Sequence, residues 1–493
     1  MAQNYYWAGF VFYSATVIFI GFYVWWRDKN LGKEMDNAAY WEASRNLSSW
    51  AVGLSISASM MSVSWSCVYG VQLFYWYGLG GAWLLIIPWL ITMGGFFIFA
   101  PRFRRMQAFS QPQLLEKRFG PRSRQLLAPA LIVVFITWAG AEIFAAGKII
   151  APFLGLPLDW MLLLITLIVA AYSYTGGFEA VVSTDKIQFV LVALFITAIS
   201  LLAWHALPRG ISLLKQVRPP KQLSPYLLIS PGIALILMTF IAYLPGWLIE
   251  TDVWIRLQAA RSDRSARQGI FIASLNSLIF VGLMPFIIGS AALLLYPAHN
   301  GVIPPSLQDG SLIFTRIMQD YAPVWLNVLL TVGLIAAAMS TIDTCGNVVA
   351  LSFSHDLLEP ALRDTWTAKK LNRLARLSSL SAIFISFIYA LFTDSLWDIF
   401  YLSSGILTTT VFIPVLASFF KSTTPRQIHF SIGFGFLATL IFYFLEKQGA
   451  LNPWQPGAIS KTGLGYILWG FLFSTAGFLI GKISKKESGH QLT

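Results

Sequence analysis

Residues 50–70 read WAVGLSISASMMSVSWSCVYG, an apolar run that carries serines at 55, 57, 59, 62, 64 and 66. A helix needs about 20 predominantly apolar residues to cross a bilayer, and this run supplies them. A helix that only anchors a protein has no use for six hydroxyls. Spread over consecutive turns, they occupy more than one helix face. The spacing therefore predicts locally irregular backbone, tolerated at membrane depth where protein or an ion satisfies the freed carbonyls. The alternative use of the same small residues is tight helix packing.

Working outward, the run is one of thirteen. The others cover 6–25, 81–100, 126–149, 158–174, 187–204, 233–249, 270–294, 324–351, 377–392, 396–419, 432–444 and 463–480. Hydrophobic residues make up 56% of the chain and charged ones 11%, against about 25% charge in a soluble domain. An ordinary soluble fold is excluded. Aromatic residues flank many of the runs, as interfacial anchors do. The first run lacks a basic leader and a small-residue cleavage site, so it reads as a retained helix rather than a signal peptide. The connections are too short for a folded appendage, so 1–493 is expected to form a single all-α polytopic membrane domain.

The basic residues decide the expected orientation. With the amino terminus outside, 26 of the 34 lysines and arginines fall on the cytoplasmic side, among them Arg27 to Arg45, Arg102 to Arg124, Arg256 to Arg267 and Arg363 to Arg376. This follows the positive-inside rule, and it accounts for the net charge of +12 without nucleic acid. The carboxyl terminus is then cytoplasmic and the compartment is the cell membrane. Cys67 and Cys345 lie inside apolar runs and read as buried fillers, and the five histidines show no metal-ligand spacing.

Other runs are more polar than an anchor requires. Tyr243-Leu-Pro-Gly-Trp247 should bend or break its helix, because proline removes a donor and clashes with the preceding turn. Glu250 and Asp252 follow it, and the bland alternative pairs both with Arg256. In Ala336-Ala-Ala-Met-Ser-Thr-Ile-Asp-Thr344, Ala337, Ser340 and Thr341 share one face. Their oxygens suit a hard alkali cation; the alternative is hydroxyls bonded back to their own helix. Glu142 lies well inside the fourth run and Asp185 enters the sixth, where an unpaired charge is costly and marks a pathway, a partner or a structural pair. No phosphate-cradling loop and no filter-like repeat is visible.

The stretch Gly176-Gly-Phe-Glu-Ala-Val-Val-Ser-Thr-Asp-Lys-Ile-Gln188, followed by Ala338-Met-Ser-Thr-Ile-Asp343 and by Arg256-Leu-Gln-Ala-Ala260, resembles the sodium:solute symporter family over nearly the whole chain. The resemblance implies an inverted-repeat fold of 5+5 core helices, with 50–204 and 233–419 as the halves and 1–49 and 420–493 peripheral. It implies Na⁺ as coupling ion and no organic cofactor. The ion would be held by carbonyls of Ala58, Met61 and Ala337 and by the hydroxyls of Ser340 and Thr341. Asp185 would lie on an inner sodium pathway or at a second site. The substrate, a small organic solute of the amino acid, sugar or carboxylate class, would meet Ser57, Ser62, Trp138, Tyr243 and Trp247, with Glu142 poised for a cationic or hydroxyl-rich solute. Met60 stands where proline carriers of the family have an aspartate, and Thr251 where their pocket has a proline, which argues against proline itself. A monomer or weak homo-oligomer in the lipid bilayer, moving solute by alternating access, is the expectation. Proton coupling, or a channel or sensor on the same scaffold, is the rival reading.

Overall fold

The computed structural model describes residues 2–30, 46–106, 108, 110–173, 178–207, 217–362 and 368–487, and they are all-α. A helix lies over each of the thirteen expected runs. The chain begins with α1 (Ala2–Asn30) and α2 (Ser49–Met60), then a wide π-helical segment, Val63–Gly70, that leads into α3 (Val71–Tyr77). Next come α4 (Ile86–Arg105), α5 (Gln111–Phe119), α6 (Pro121–Leu154), α7 (Leu158–Ser173) and α8 (Phe178–His205). A second series follows: α9 (Ile233–Trp247), α10 (Thr251–Gln258), α11 (Asp263–Ser277), α12 (Met284–Leu295), α13 (Ile313–Tyr321) and α14 (Val324–Ala350). The last are α15 (Ala368–Leu391), α16 (Leu396–Ile406), α17 (Ile413–Ala417), α18 (Pro425–Lys447) and α19 (Gly465–Glu487). Among the described residues, nine helical spans are long and apolar enough to cross a membrane.

Local chemistry sets the helix ends. Ser48 caps α2 by accepting the Ala51 N–H, and Ser110 caps α5 by accepting that of Gln113. Thr424 and Gln427 form a capping box at α18, whose first residue is Pro425. These signals start α18 before the expected 432–444, and it also runs past the far end, to Lys447. The ninth run is also longer than expected, because α14 passes through a π-helical segment, Leu351–Leu358, without a stop.

Packing explains part of the small-residue content of the second run. Helix α2 lies against α11 through Gly53 and Gly269, where a Cβ on Gly53 would stand 2.7 Å from the Ile272 Cβ. Only the missing side chain lets the two backbones approach. Helix α14 runs through the interior and touches α2, α6 and α8, whereas α18 and α19 pair with each other at the edge. Ser431 and Ser474 meet in that pair at 2.9 Å. The outer faces expose Phe12, Ile98, Leu194, Leu437 and Phe444. A band of this kind would be an aggregation surface in water and is satisfied by acyl chains.

Candidate functional site

The second run leaves the helix where its sequence turns polar. The last helical bond of α2 runs from the Met61 N–H to the Ser57 carbonyl at 2.9 Å. Met61 (φ −84°, ψ 51°) and Ser62 (φ −79°, ψ 159°) then depart from helical dihedrals. The carbonyls that follow Ser57, beginning with Ala58, are thereby released from the ladder. On the far side of the break the first N–H groups of the Val63–Gly70 segment need acceptors. Glu142 of α6 supplies them: its two carboxylate oxygens accept from the Val63 N–H at 2.7 Å and the Ser64 N–H at 3.0 Å. The Ser62 hydroxyl accepts the next, from Trp65, at 3.0 Å.

A second break lies between α9 and α10. Pro245 is accommodated within the last turn of α9, and the chain turns at Leu248 to Glu250, three to five residues after the proline. A side chain from another helix joins the ladder before that point. In an intact helix the Gly246 N–H would bond the Ala242 carbonyl. Here the Thr408 hydroxyl stands between them, accepting from Gly246 at 3.1 Å and donating to Ala242 at 2.7 Å. A Cβ on Gly246 would lie 3.0 Å from the Thr408 hydroxyl oxygen, so glycine is what admits the insertion. Thr408→Val keeps the shape and removes both bonds, at a cost of about 1–3 kcal/mol. The expected result is a lower melting temperature in detergent, restored by Thr408→Ser; an unchanged melting temperature in the valine variant would remove this role.

Between the two breaks lies a cavity. Its apolar walls are Trp65, Trp89, Trp138, Trp247, Phe400 and Met60. Three of the four indole N–H groups are anchored on hydroxyls, Trp138 on Ser403 at 2.6 Å, Trp247 on Ser404 at 3.2 Å and Trp89 on Ser277 at 3.1 Å. The rings are thus held as fixed surfaces. Trp65 and Phe400 meet edge-on with centroids 4.7 Å apart, and Trp247 lies 5.5 Å from both Trp65 and Trp89. The polar walls are Ser59, Ser62, Ser64, Ser404, Thr341 and Glu250.

Behind Trp247 lies a cluster of further rings. Tyr243 stacks on Trp247 at 4.2 Å and on Tyr401 at 4.8 Å, and Trp397 lies tilted against Tyr401 at 4.5 Å. Beyond them, Trp76 is covered by Lys221, whose ammonium sits over the indole. Burial pushes the Lys221 amine down to about 8, against the opposing pull of Asp309. On the cavity wall, Met60 and Thr341 are half-buried.

The serines of the second run divide by neighbour. Ser55 accepts from Arg256 at 2.7 Å, and Ser59 donates to Asp252, which is itself ion-paired with Arg256. Ser57 donates to the Gly53 carbonyl and accepts from Asn276 at 3.0 Å, so it faces α11 and not the cavity. Ser62 does line the cavity, as do Trp138 and Trp247, whereas Tyr243 stands behind Trp247. Glu142 is turned away from the solute position expected for it, because both its oxygens are engaged by backbone at the first break. Thr341 opens on the cavity beside Ser59 and Met60, and its hydroxyl lies 3.5 Å from the Ala337 carbonyl. Ser340, Ala337, Ala58 and Met61 are buried close by, on helices α14 and α2 that touch. Asp185 lies outside the residues whose side chains are described. Trp65, Trp89, Phe400, Ser404 and Thr408 were not anticipated. The run Ser403-Ser-Gly-Ile-Leu-Thr-Thr-Thr410 carries the same hydroxyl excess that marks 50–70 and was the available signal.

A model of the sodium:solute symporter family matches residues 40–427. The sodium/glucose cotransporter of Vibrio parahaemolyticus is 28% identical over 460 residues, covering 85% of this chain and 81% of that protein. The high-affinity proline transporter of Bacillus subtilis is 24% identical over 392 residues, covering 76% and 78%. Among solved structures, the substrate-bound, outward-open state of a Na⁺-coupled sialic acid symporter superposes with a TM-score of 0.73 over 97% of this chain and 98% of that one, at 18% identity.

Proposed function

This chain belongs to the sodium:solute symporter family, and from that premise we propose how its two broken helices couple an ion to a solute. The protein is a sodium-coupled symporter of a small organic solute, a secondary transporter and not an enzyme. We assign the sodium to the released carbonyls of Ala58 and Met61, the Ala337 carbonyl and the hydroxyls of Ser340 and Thr341. The observation that carries this is the position of Thr341: its hydroxyl, next to the Ala337 carbonyl, opens on the same cavity as the broken turn at Ser59 to Ser62. Oxygen donors from two separate helices would replace the water the ion loses. Asp185 is kept as an acid on the inner sodium pathway.

In this reading thirteen crossings form two inverted halves, 50–204 and 233–419, with 1–49 and 420–493 peripheral, the amino terminus outside and the carboxyl terminus cytoplasmic. The corresponding breaks in α2 and α9, one in each half, support it. Solute occupies the aromatic cavity, in contact with Ser62, Trp138 and Trp247. Sodium draws the α2 break toward α14, and the solute closes the two breaks on each other. Each inward sodium contributes about 2.3 kcal/mol per 100 mV if it crosses the whole field. Coupling requires that ion and solute both prefer the same state.

Uptake into proteoliposomes tests the reading. Accumulation of solute above its outside concentration is expected with an inward Na⁺ gradient, and collapse of that gradient should abolish it. Accumulation driven by a proton gradient and indifferent to Na⁺ would overturn the ion assignment.

A further inference from the structure

Resting on this chain being a solute symporter, we propose that its solute carries a positively charged nitrogen, an alkylammonium or quaternary ammonium group, received by Glu250 and the ring faces around it. Among the described residues, Glu142, Asp252 and Glu250 lie at the two breaks, and the first two are already matched. Glu142 is engaged by the N–H groups of Val63 and Ser64, and Asp252 by Arg256 and Ser59. Glu250 is not. It sits in the turn that separates α9 from α10, is 1% exposed, and its Oε1 has no hydrogen-bond partner among the described residues. It lines the cavity, and no Lys, Arg or His among the described residues does so.

A buried carboxylate with no ion pair of its own is costly, and the Arg256 guanidinium that acts on Glu250 is already committed to Asp252. A ligand that brings a positive charge removes that cost on arrival, whereas a neutral solute leaves it in place and an anionic solute adds repulsion. The rest of the wall favours an organic cation: Trp65, Trp89, Trp138, Trp247 and Phe400 line the same cavity as Glu250, and aromatic rings attract a weakly hydrated ammonium. The cavity's other side-chain oxygens are the neutral hydroxyls of Ser59, Ser62, Ser64, Ser404 and Thr341. The Glu250 N–H bonds the Trp247 carbonyl at 3.1 Å, so carboxylate and indole belong to one turn and present themselves together.

The test uses the full chain in lipid nanodiscs and follows tryptophan fluorescence during titration with choline and with 3,3-dimethyl-1-butanol, its uncharged isostere. In saturating Na⁺, choline should bind at least about tenfold more tightly than the isostere. Glu250→Gln should reduce that preference to about twofold or less and leave the Na⁺-induced fluorescence change where it was; Glu250→Asp should retain part of the preference. Equal binding of the two probes by the unaltered protein would overturn the proposal without reference to any variant. A Glu250→Gln protein that keeps the preference would do so as well, as would one whose sole defect is a raised Na⁺ requirement. A choline preference in a protein that shows no Na⁺-driven accumulation would leave this inference standing and remove the symport reading instead.

Discussion

Glu142→Ala should abolish solute uptake and destabilise the protein by about 3–5 kcal/mol. The carboxylate accepts two charge-assisted bonds from the Val63 and Ser64 N–H groups, in a place with no access to water. Removing it strands two buried donors, each costing about 1–3 kcal/mol, in addition to leaving a void. Glu142→Gln should be nearly as damaging, because an amide offers one acceptor and turns a donor toward the second N–H. Thermal unfolding in detergent and uptake at saturating Na⁺ are the measurements. A Glu142→Gln protein with normal stability and a selective loss of affinity for solute would return this residue to the solute side of the break.

The second large effect is expected at Thr341. Thr341→Ala, and the isosteric Thr341→Val, should raise the Na⁺ concentration for half-maximal uptake by about 10- to 100-fold. That range corresponds to the about 1.5–3 kcal/mol of a bond between a neutral group and an ion. Thr341→Ser should restore most of the affinity, because it returns the oxygen and changes only packing. Maximal uptake at very high Na⁺ should survive in all three. The hydroxyl lies against the Ala337 carbonyl, and neither substitution removes a structural partner from another helix. Unchanged Na⁺ dependence in the valine variant would take this hydroxyl out of the ion's shell.

The two residues differ in how far sequence could place them. Thr341 shares a face with Ala337 by helical spacing alone, so their proximity was readable once the run was taken as a helix. For Glu142 spacing showed that a charge is buried and stopped there. Which of a backbone, a solute or an arginine meets it depends on what α6 packs against, and no periodicity within α6 contains that. Asp252 and Glu250 make the same point in reverse. They are two residues apart and equally acidic, yet the helical turn after Thr251 aims one at Arg256, an i,i+4 neighbour, and leaves the other in the hinge.

By itself the sequence determined that the chain is helical and lipid-facing, which segments form its apolar runs, and that backbone irregularity falls within 50–70 and near Pro245. All of these follow from local properties: hydropathy over about 20 residues, capping residues, and proline's missing donor. Tertiary structure decided which polar group answers each break: Glu142 at the first and the Thr408 hydroxyl inside the second. It also decided that the carboxylate left on the cavity wall with an oxygen lacking a hydrogen bond is Glu250. Those outcomes depend on contacts between residues up to 166 positions apart, and a buried polar group takes whatever partner the packing of other helices delivers.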